Sequence, residues 1–402
     1  MKKTNLLIDC AFINDYKYWP VSIALYAGRL LNGFNKNPLF NVCAIVWKGK
    51  EAYVDELAGF EVEKLVVDEN DKITPWRSLD RLLGLNPLMN RVKKKNIDIV
   101  LSPYHFECYY FFPKRFHHYA IVQDMIPYYI LEERIGKIKF WLWRIYRKIL
   151  NRQIYSFISI SNNTRKELKK FEGEDSVVIY NSIPFDISVE EVRIPELENK
   201  KYILDINRYE KHKNAAVLIY AFSQIQDQIP HLLYLKGDER NPTYRLELEE
   251  LVFRLGIKDR VIFDKSNRSE GEISYLYKHA DLVVSPSLME GFGWTPIEAA
   301  IFKAPVIISD IDVFKEITCG KISTFNPFSP EELSALVVQT IANPKSFEER
   351  NKLSEFFLEK YSLNGQLENF SRVLLEKKNE RYCNIWSRRF WTRSGLHHSN
   401  VK

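Results

Sequence analysis

Two carboxylates, Glu290 and Glu298, flank a glycine loop with seven residues between them in SPSLMEGFGWTPIEAAIFKAPVIISD, Ser285 to Asp310. The Gly291-Phe292-Gly293 backbone offers amides that could meet an anion beside a helix N-terminus, so a phosphate-bearing substrate fits there. Thr295 and Pro296 read as the N-cap and first residue of that helix, which puts Glu298 at its third position. Thr-Pro-Ile-Glu also matches a capping box, in which Glu298 merely returns a hydrogen bond to the Thr295 backbone. Glu290 has no capping role, and its ordinary alternative is a solvated loop charge.

Two cations can join them. In NRYEKHKNAAVLIYAF, Arg208 and Lys213 lie between a strand end and a helix start, placed to face the same cleft. Preorganised cations stabilise the charge that develops on a departing diphosphate, Arg through its planar fork and Lys as a point charge. A solvated basic loop is the plain alternative. Gln123 and Asp124 close another apolar run, HHYAIVQD. Asp124 could orient a substrate or simply hold a strand-end turn, and the adjacent His117 and His118 read as surface residues.

The glutamate, seven residues, glutamate pattern within EGFGWTPIE, followed by the Pro-Val-Ile strand, resembles the donor-site signature of family four of the retaining glycosyltransferases (glycosyl transferases group 1, GT-B fold). The resemblance runs from about Asn5 to about Phe370 and is most specific over Ser285 to Asp310. It implies sugar transfer from a nucleoside diphosphate sugar without a metal or other cofactor. It implies Glu290 at the donor sugar, Glu298 at the nucleotide ribose, Arg208 and Lys213 with the Gly291 to Gly293 loop at the phosphates, and Trp294 and Thr295 as further donor-site candidates. Family members commonly have a His-Asp pair where this chain has Gln123-Asp124. Glutamine can hydrogen-bond a sugar hydroxyl but cannot titrate, which weakens any acid-base part for that position; Gln123 is a further donor-site candidate, and Glu290 and Asp124 are the catalytic candidates. The family's glycine-rich loop after the first strand is also missing, Val21 and Ser22 standing in its neighbourhood.

The elements that must position these residues follow from apolar patterning. Strand-like runs LLIDC, VCAIVW, KLVVD, IDIVLS, YAIVQD, YSFISI and SVVIYN alternate with helical stretches; after a charged, proline-bearing connection a second series runs KYILDIN, HLLYLKG, RVIFD, DLVVSP, PVIIS and KISTF. Such alternation predicts parallel sheets covered by helices on both faces. The expected fold is α/β, with two doubly wound Rossmann-like domains facing a central cleft: an acceptor-side domain at 1–181, a linker at 182–200, a nucleotide-sugar domain with C-terminal helices at 201–378, and a basic aromatic tail at 379–402. The resemblance implies that the last helix returns to the first domain.

Composition limits the alternatives. The 402 residues suffice for two cores, and five scattered cysteines without a C-x-x-C pair suggest a reducing compartment and no metal framework. Asp310 and Asp312 form a D-x-D triplet of a kind common by chance. With no run of about 20 apolar residues, the expected location is cytoplasmic, either free or peripheral at the inner face of the cell membrane. Two segments point to an anionic membrane surface: 377–402, whose net +6 equals the excess of the whole chain, and IGKIKFWLWRIYRKILNR, Ile135 to Arg152, with six cations and no acid. Their alternatives are a disordered tail and a helix packed on the first sheet.

The expected partners are a nucleoside diphosphate sugar and a saccharide or lipid-linked saccharide acceptor, in surface polysaccharide or lipopolysaccharide assembly, with no nucleic acid. A nucleotide-sugar epimerase on the same architecture, or an inert nucleic-acid or membrane-binding adaptor, are the competing classes.

Overall fold

The structure, a computed structural model, describes residues 3–13, 21–68, 87–107, 112, 116–185, 187–238 and 242–376. The basic tail lies outside the described residues.

The first half forms a seven-stranded sheet of β1 (Thr4–Asp9), β2 (Phe40–Trp47), β3 (Glu63–Val67), β4 (Ile99–Ser102), β5 (His118–Val122), β6 (Ser156–Ser159) and β7 (Ser176–Val178). Its order is β3-β2-β1-β4-β5-β6-β7, every pair parallel. Its helices are α1 (Val21–Lys36), α2 (Glu51–Ala58), α3 (Pro87–Lys94), α4 (Pro127–Ile135), α5 (Lys137–Asn151) and α6 (Asn162–Glu172). β4 and β5 are buried along their whole length, as parallel strands covered on both faces must be. His118, expected at the surface, is part of that core. Its ring meets Ser102 Oγ at 2.8 Å, and desolvation depresses its pKa to about 3. β5 starts one residue earlier than its apolar run suggests, which turns this side chain inward.

The second sheet holds β8 (Tyr202–Ile206), β9 (Leu232–Lys236), β10 (Val261–Asp264), β11 (Leu282–Ser285), β12 (Val306–Ser309) and β13 (Ser323–Phe325), ordered β10-β9-β8-β11-β12-β13 and again parallel throughout. Its helices are α7 (Ala215–Ile225), α8 (Pro242–Arg254), α9 (Glu270–His279), α10 (Trp294–Ile301), α11 (Asp312–Thr318), α12 (Pro330–Ala342) and α13 (Phe347–Lys360). A last helix, α14, spans 363–376. In each sheet the strand order reverses direction beside the first strand of its series, between β1 and β4 and between β8 and β11. The loops that leave such neighbours diverge and open a crevice at their carboxyl ends.

One apolar cluster joins the halves, running from Leu30 and Phe34 of α1 through Phe292 to Phe357, Tyr361 and Phe370. α14 lies against α1: Phe370 meets Phe34 edge-on at 6.1 Å, and Asn37 Nδ2 donates to Ser371 Oγ at 3.1 Å. Across the other side, Glu316 of α11 accepts from the backbone amides of Asn162 and Asn163 at 2.6 and 2.9 Å. A carboxylate from one half thus caps the N-terminus of α6 in the other, where the helix dipole favours negative charge.

Candidate active site

The second-domain face of the crevice is built by the loops after β8 and β11, the strands at the reversal point. They are stitched together: Leu288 N donates to the His212 carbonyl at 2.8 Å, and Asn214 Nδ2 donates to the Pro286 carbonyl at 3.1 Å. Asn214 holds the left-handed conformation (φ 58°) that ends the turn Lys211–Lys213 and starts α7, which Asn tolerates better than most residues. That geometry delivers Lys213 Nζ to Glu290 Oε1 at 2.6 Å, and Ser287 Oγ donates to the same oxygen at 2.8 Å. Glu290 is therefore no solvated loop charge. Its side chain is 10% exposed and that of Lys213 is 12% exposed. Burial pushes the Glu290 pKa up, but the Lys213 charge and hydrogen bond, with Ser287 and His212, outweigh it and hold the carboxyl below its ordinary value. The carboxylate is ionised and fixed.

Arg208 is 37% exposed and pairs with Glu210 at 3.2 Å, so its fork remains near the crevice surface. His212, beside Lys213, is kept neutral by burial and by that cation, with a pKa of about 4.

The start of α10 corrects the expected cap. Gly293 (φ 87°) is the N-cap and Trp294 the first helical residue; Thr295 is already inside the helix, its hydroxyl donating to the Ile206 carbonyl at 3.1 Å. Glu298 is in no capping box. It accepts from Tyr277 Oη at 2.6 Å, and its pKa is raised by burial against the opposing pulls of Tyr277 and Arg29. The left-handed glycine lets Gly293 take the cap conformation without a Cβ, which would strike Phe314 at 2.3 Å. Phe292 is buried against Trp294 and Tyr361, so the loop is anchored by its middle side chain. The amides of Gly291, Phe292 and Gly293 make no hydrogen bond to another of the described residues.

From the first domain, the end of β5 presents Gln123 and Asp124. Gln123 is held by structural partners: its Nε2 donates to the Pro103 carbonyl at 3.1 Å, and its Oε1 accepts from Asn181 Nδ2 at 3.4 Å. Asp124 accepts from the Ile126 amide at 3.0 Å in the strand-end turn, yet it also borders the crevice. Desolvation raises its pKa to about 6, against the Ile126 hydrogen bond and the Arg208 charge.

All of these residues line one cavity of about 790 Å³ between the two sheets: Gln123 and Asp124 on one side, Arg208, Lys213, Glu290, Gly291 to Thr295 and Glu298 on the other. Among the lining residues that sequence reading missed, two act on Glu298. Arg29 of α1 borders the cavity, donates to the Pro184 carbonyl and pulls electrostatically on Glu298; its signal was a lone cation inside an apolar helix stretch. Tyr277 lies on α9, in a segment with no recognisable motif, and its hydroxyl fixes Glu298. Asp310 and Asp312 do not border the cavity and both pair with Lys315, at 2.9 and 3.9 Å. Among the described residues no cluster of three or more His, Cys, Asp or Glu could hold a metal ion.

Residues 187–357 match the family Glycosyl transferases group 1. That match takes in all six strands of the second sheet, and the two halves together have the GT-B fold. The O-antigen chain mannosyltransferase RfbU of Salmonella typhimurium is 30% identical over 212 residues, 51% of this chain and 56% of that protein. The lipopolysaccharide core biosynthesis mannosyltransferase LpsB of Rhizobium meliloti is 35% identical over 95 residues, 23% of this chain and 26% of that protein. The chain spans about half the length of the first relative and a quarter of the second. Anabaena Alr3699/HepE, solved in complex with UDP and glucose, superposes with a TM-score of 0.68 at 17% identity over 92% of this chain and 99% of that one. That likeness concerns the fold, and it extends the GT-B architecture to both halves of the crevice.

Proposed function

We propose that this chain is a retaining glycosyltransferase that moves a hexose or deoxyhexose from a nucleoside diphosphate sugar to a saccharide acceptor in surface polysaccharide or lipopolysaccharide biosynthesis. Mannose is the first sugar to test, because the relatives above carry mannosyltransferase names. The observation that supports the reading is the convergence of Arg208, Lys213, Glu290 and Glu298 with Asp124 on one cavity at the point where both sheets reverse their strand order.

Arg208 and Lys213 bind the diphosphate and stabilise the charge it gains as the C1–O bond breaks. The amides of the Gly291 to Gly293 loop add donors beside the N-terminus of α10. Glu290, ionised and fixed by Lys213 and Ser287, accepts from donor-sugar hydroxyls. Glu298, oriented by Tyr277, accepts from ribose hydroxyls. Asp124 orients the reacting sugars from the opposite wall. The acceptor oxygen attacks C1 on the face the diphosphate leaves, and its proton passes to the departing phosphate oxygen. Because two cations already face the diphosphate, the reaction proceeds without a metal.

The test is transfer from labelled GDP-, UDP- and dTDP-sugars to bacterial lipid-linked oligosaccharide extract. Product that needs both donor and acceptor supports the transferase. An isomerised donor sugar without acceptor would favour the epimerase, and no turnover of any donor would leave an inert adaptor.

A further inference from the structure

α5 has two opposite faces. Phe140, Trp143, Arg147, Leu150 and Asn151 turn inward: Phe140 and Trp143 stack on each other and meet Tyr128 edge-on and at a tilt, while Arg147 Nε pairs with Glu172 at 3.2 Å within the fold. The outward face carries Ile138, Trp141 and Leu142, exposed by 79%, 60% and 54%, and continues through the exposed Ile145 and Ile149. At 3.6 residues per turn these five side chains fall within an arc of about 100°, diametrically across from the buried set. None of the other described residues covers them. Isolated exposed apolar residues are ordinary, but an unbroken stripe of five along a helix about 22 Å long is not.

Charge settles what can cover the stripe. Lys137, Arg144 and Lys148 run along one edge of it, Lys139 lies on the other, and the helix has no acid. All four are exposed. A second copy of this chain seated face to face would bring both sets of cations together around an apolar seam. An anionic bilayer meets both features at once: the stripe enters the acyl boundary and the flanking cations reach the phosphates.

We propose that the outer face of α5 is a docking surface for an anionic phospholipid bilayer, and that it brings the cavity to an acceptor held in that bilayer. The link to the cavity is short. α4 leads into α5 through Gly136, whose amide closes α4 on the Glu132 carbonyl at 2.9 Å, and Ile130 and Arg134 of α4 line the cavity. A chain seated through α5 therefore presents the first-domain wall of its crevice next to the membrane surface. The acceptor part of this inference rests on the transferase reading; the docking surface does not.

The experiment is sedimentation of the full chain with phosphatidylcholine vesicles, with and without phosphatidylglycerol. The parent partitions to the anionic vesicles, and rising salt weakens the binding as the charge term is screened. Trp141→Glu combined with Ile145→Glu lowers the partition coefficient at least ten-fold, with an unchanged thermal midpoint because both sites are exposed. A chain ending at residue 376 retains binding that this double variant removes. Equal binding by parent and double variant, or binding lost only with the tail, overturns the proposal. So does a parent that ignores anionic vesicles, or one that self-associates through the stripe, as a mass measurement by light scattering would reveal. Calorimetry with UDP and GDP separates the two readings: absent nucleotide binding defeats the donor site alone, and absent vesicle binding with nucleotide binding intact defeats the docking surface alone.

Discussion

Gly291 sits so close to Gln123 that a β-carbon on the glycine would stand 1.9 Å from the Gln123 carbonyl oxygen. The Gly291 carbonyl in turn accepts from Ser161 Oγ at 2.9 Å and Thr164 Oγ1 at 3.0 Å. The glycine loop of the second sheet is thus docked on the backbone of the opposite domain, and the two walls of the crevice are set by this contact. Gly291→Ala must push backbone from backbone, at a cost of about 1–3 kcal/mol or more. It should lower the thermal midpoint and reduce kcat/KM at least ten-fold. An unchanged midpoint with unchanged transfer would show that the loop does not rest there.

Glu290→Gln should fold as the parent does and lose turnover by roughly 10²-fold, the scale of removing one preorganised polar contact at a reacting centre. The measurement is the transfer rate at saturating donor. Near-parental turnover would defeat the assignment of Glu290 to the donor sugar.

Arg208→Ala and Lys213→Ala should both weaken nucleoside diphosphate binding in calorimetry, but they should differ in stability. Arg208 is partly exposed, and its pair with Glu210 is worth little. Lys213→Ala leaves Glu290 largely buried without its cation, which costs about 3 kcal/mol. Equal thermal midpoints for the two variants would contradict the ion pair, and unaltered affinities for UDP, GDP and dTDP would remove both residues from the phosphate site.

Asp124 has a folded pKa of about 6 against an ordinary 3.8, because burial disfavours its charge. Below about pH 4 it is protonated folded or unfolded and has no effect on stability. Between about pH 4 and 6 the unfolded chain releases the proton first, so stability falls as pH rises; above about pH 6 the penalty is complete. Asp124→Asn cannot ionise and should be more stable than the parent at pH 8, by roughly 1–2 kcal/mol since the carboxyl borders the cavity, with the gain vanishing near pH 4. Transfer by this variant should fall. Thermal midpoints that track each other from pH 4 to 8 would mean that Asp124 is solvated.

Transfer should survive EDTA if Arg208 and Lys213, which both line the cavity, neutralise the diphosphate as proposed. Loss of activity on chelation, restored by manganese, would assign that neutralisation to a metal ion.

The sequence alone determined the elements and their alternation. Apolar runs such as LVVS and VIIS bounded by polar turns encode buried parallel strands through neighbours only a few residues away, and that periodicity places Arg208, Asp124 and Glu290 at strand ends. The types of those side chains then limited the chemistry. What the tertiary structure decided are relations between distant residues. Lys213 and Glu290 are 77 positions apart, and their ion pair exists only because β8 and β11 are neighbours in the sheet. Gly291 and Ser161 are 130 apart and meet only because the two halves close on each other. The burial of His118, the hold of Tyr277 on Glu298 and the start of α10 at Trp294 depend likewise on which surfaces are packed together. Local patterning fixes the period and the ends of an element, but strand order and domain closure, which carry no local signature, choose its partners.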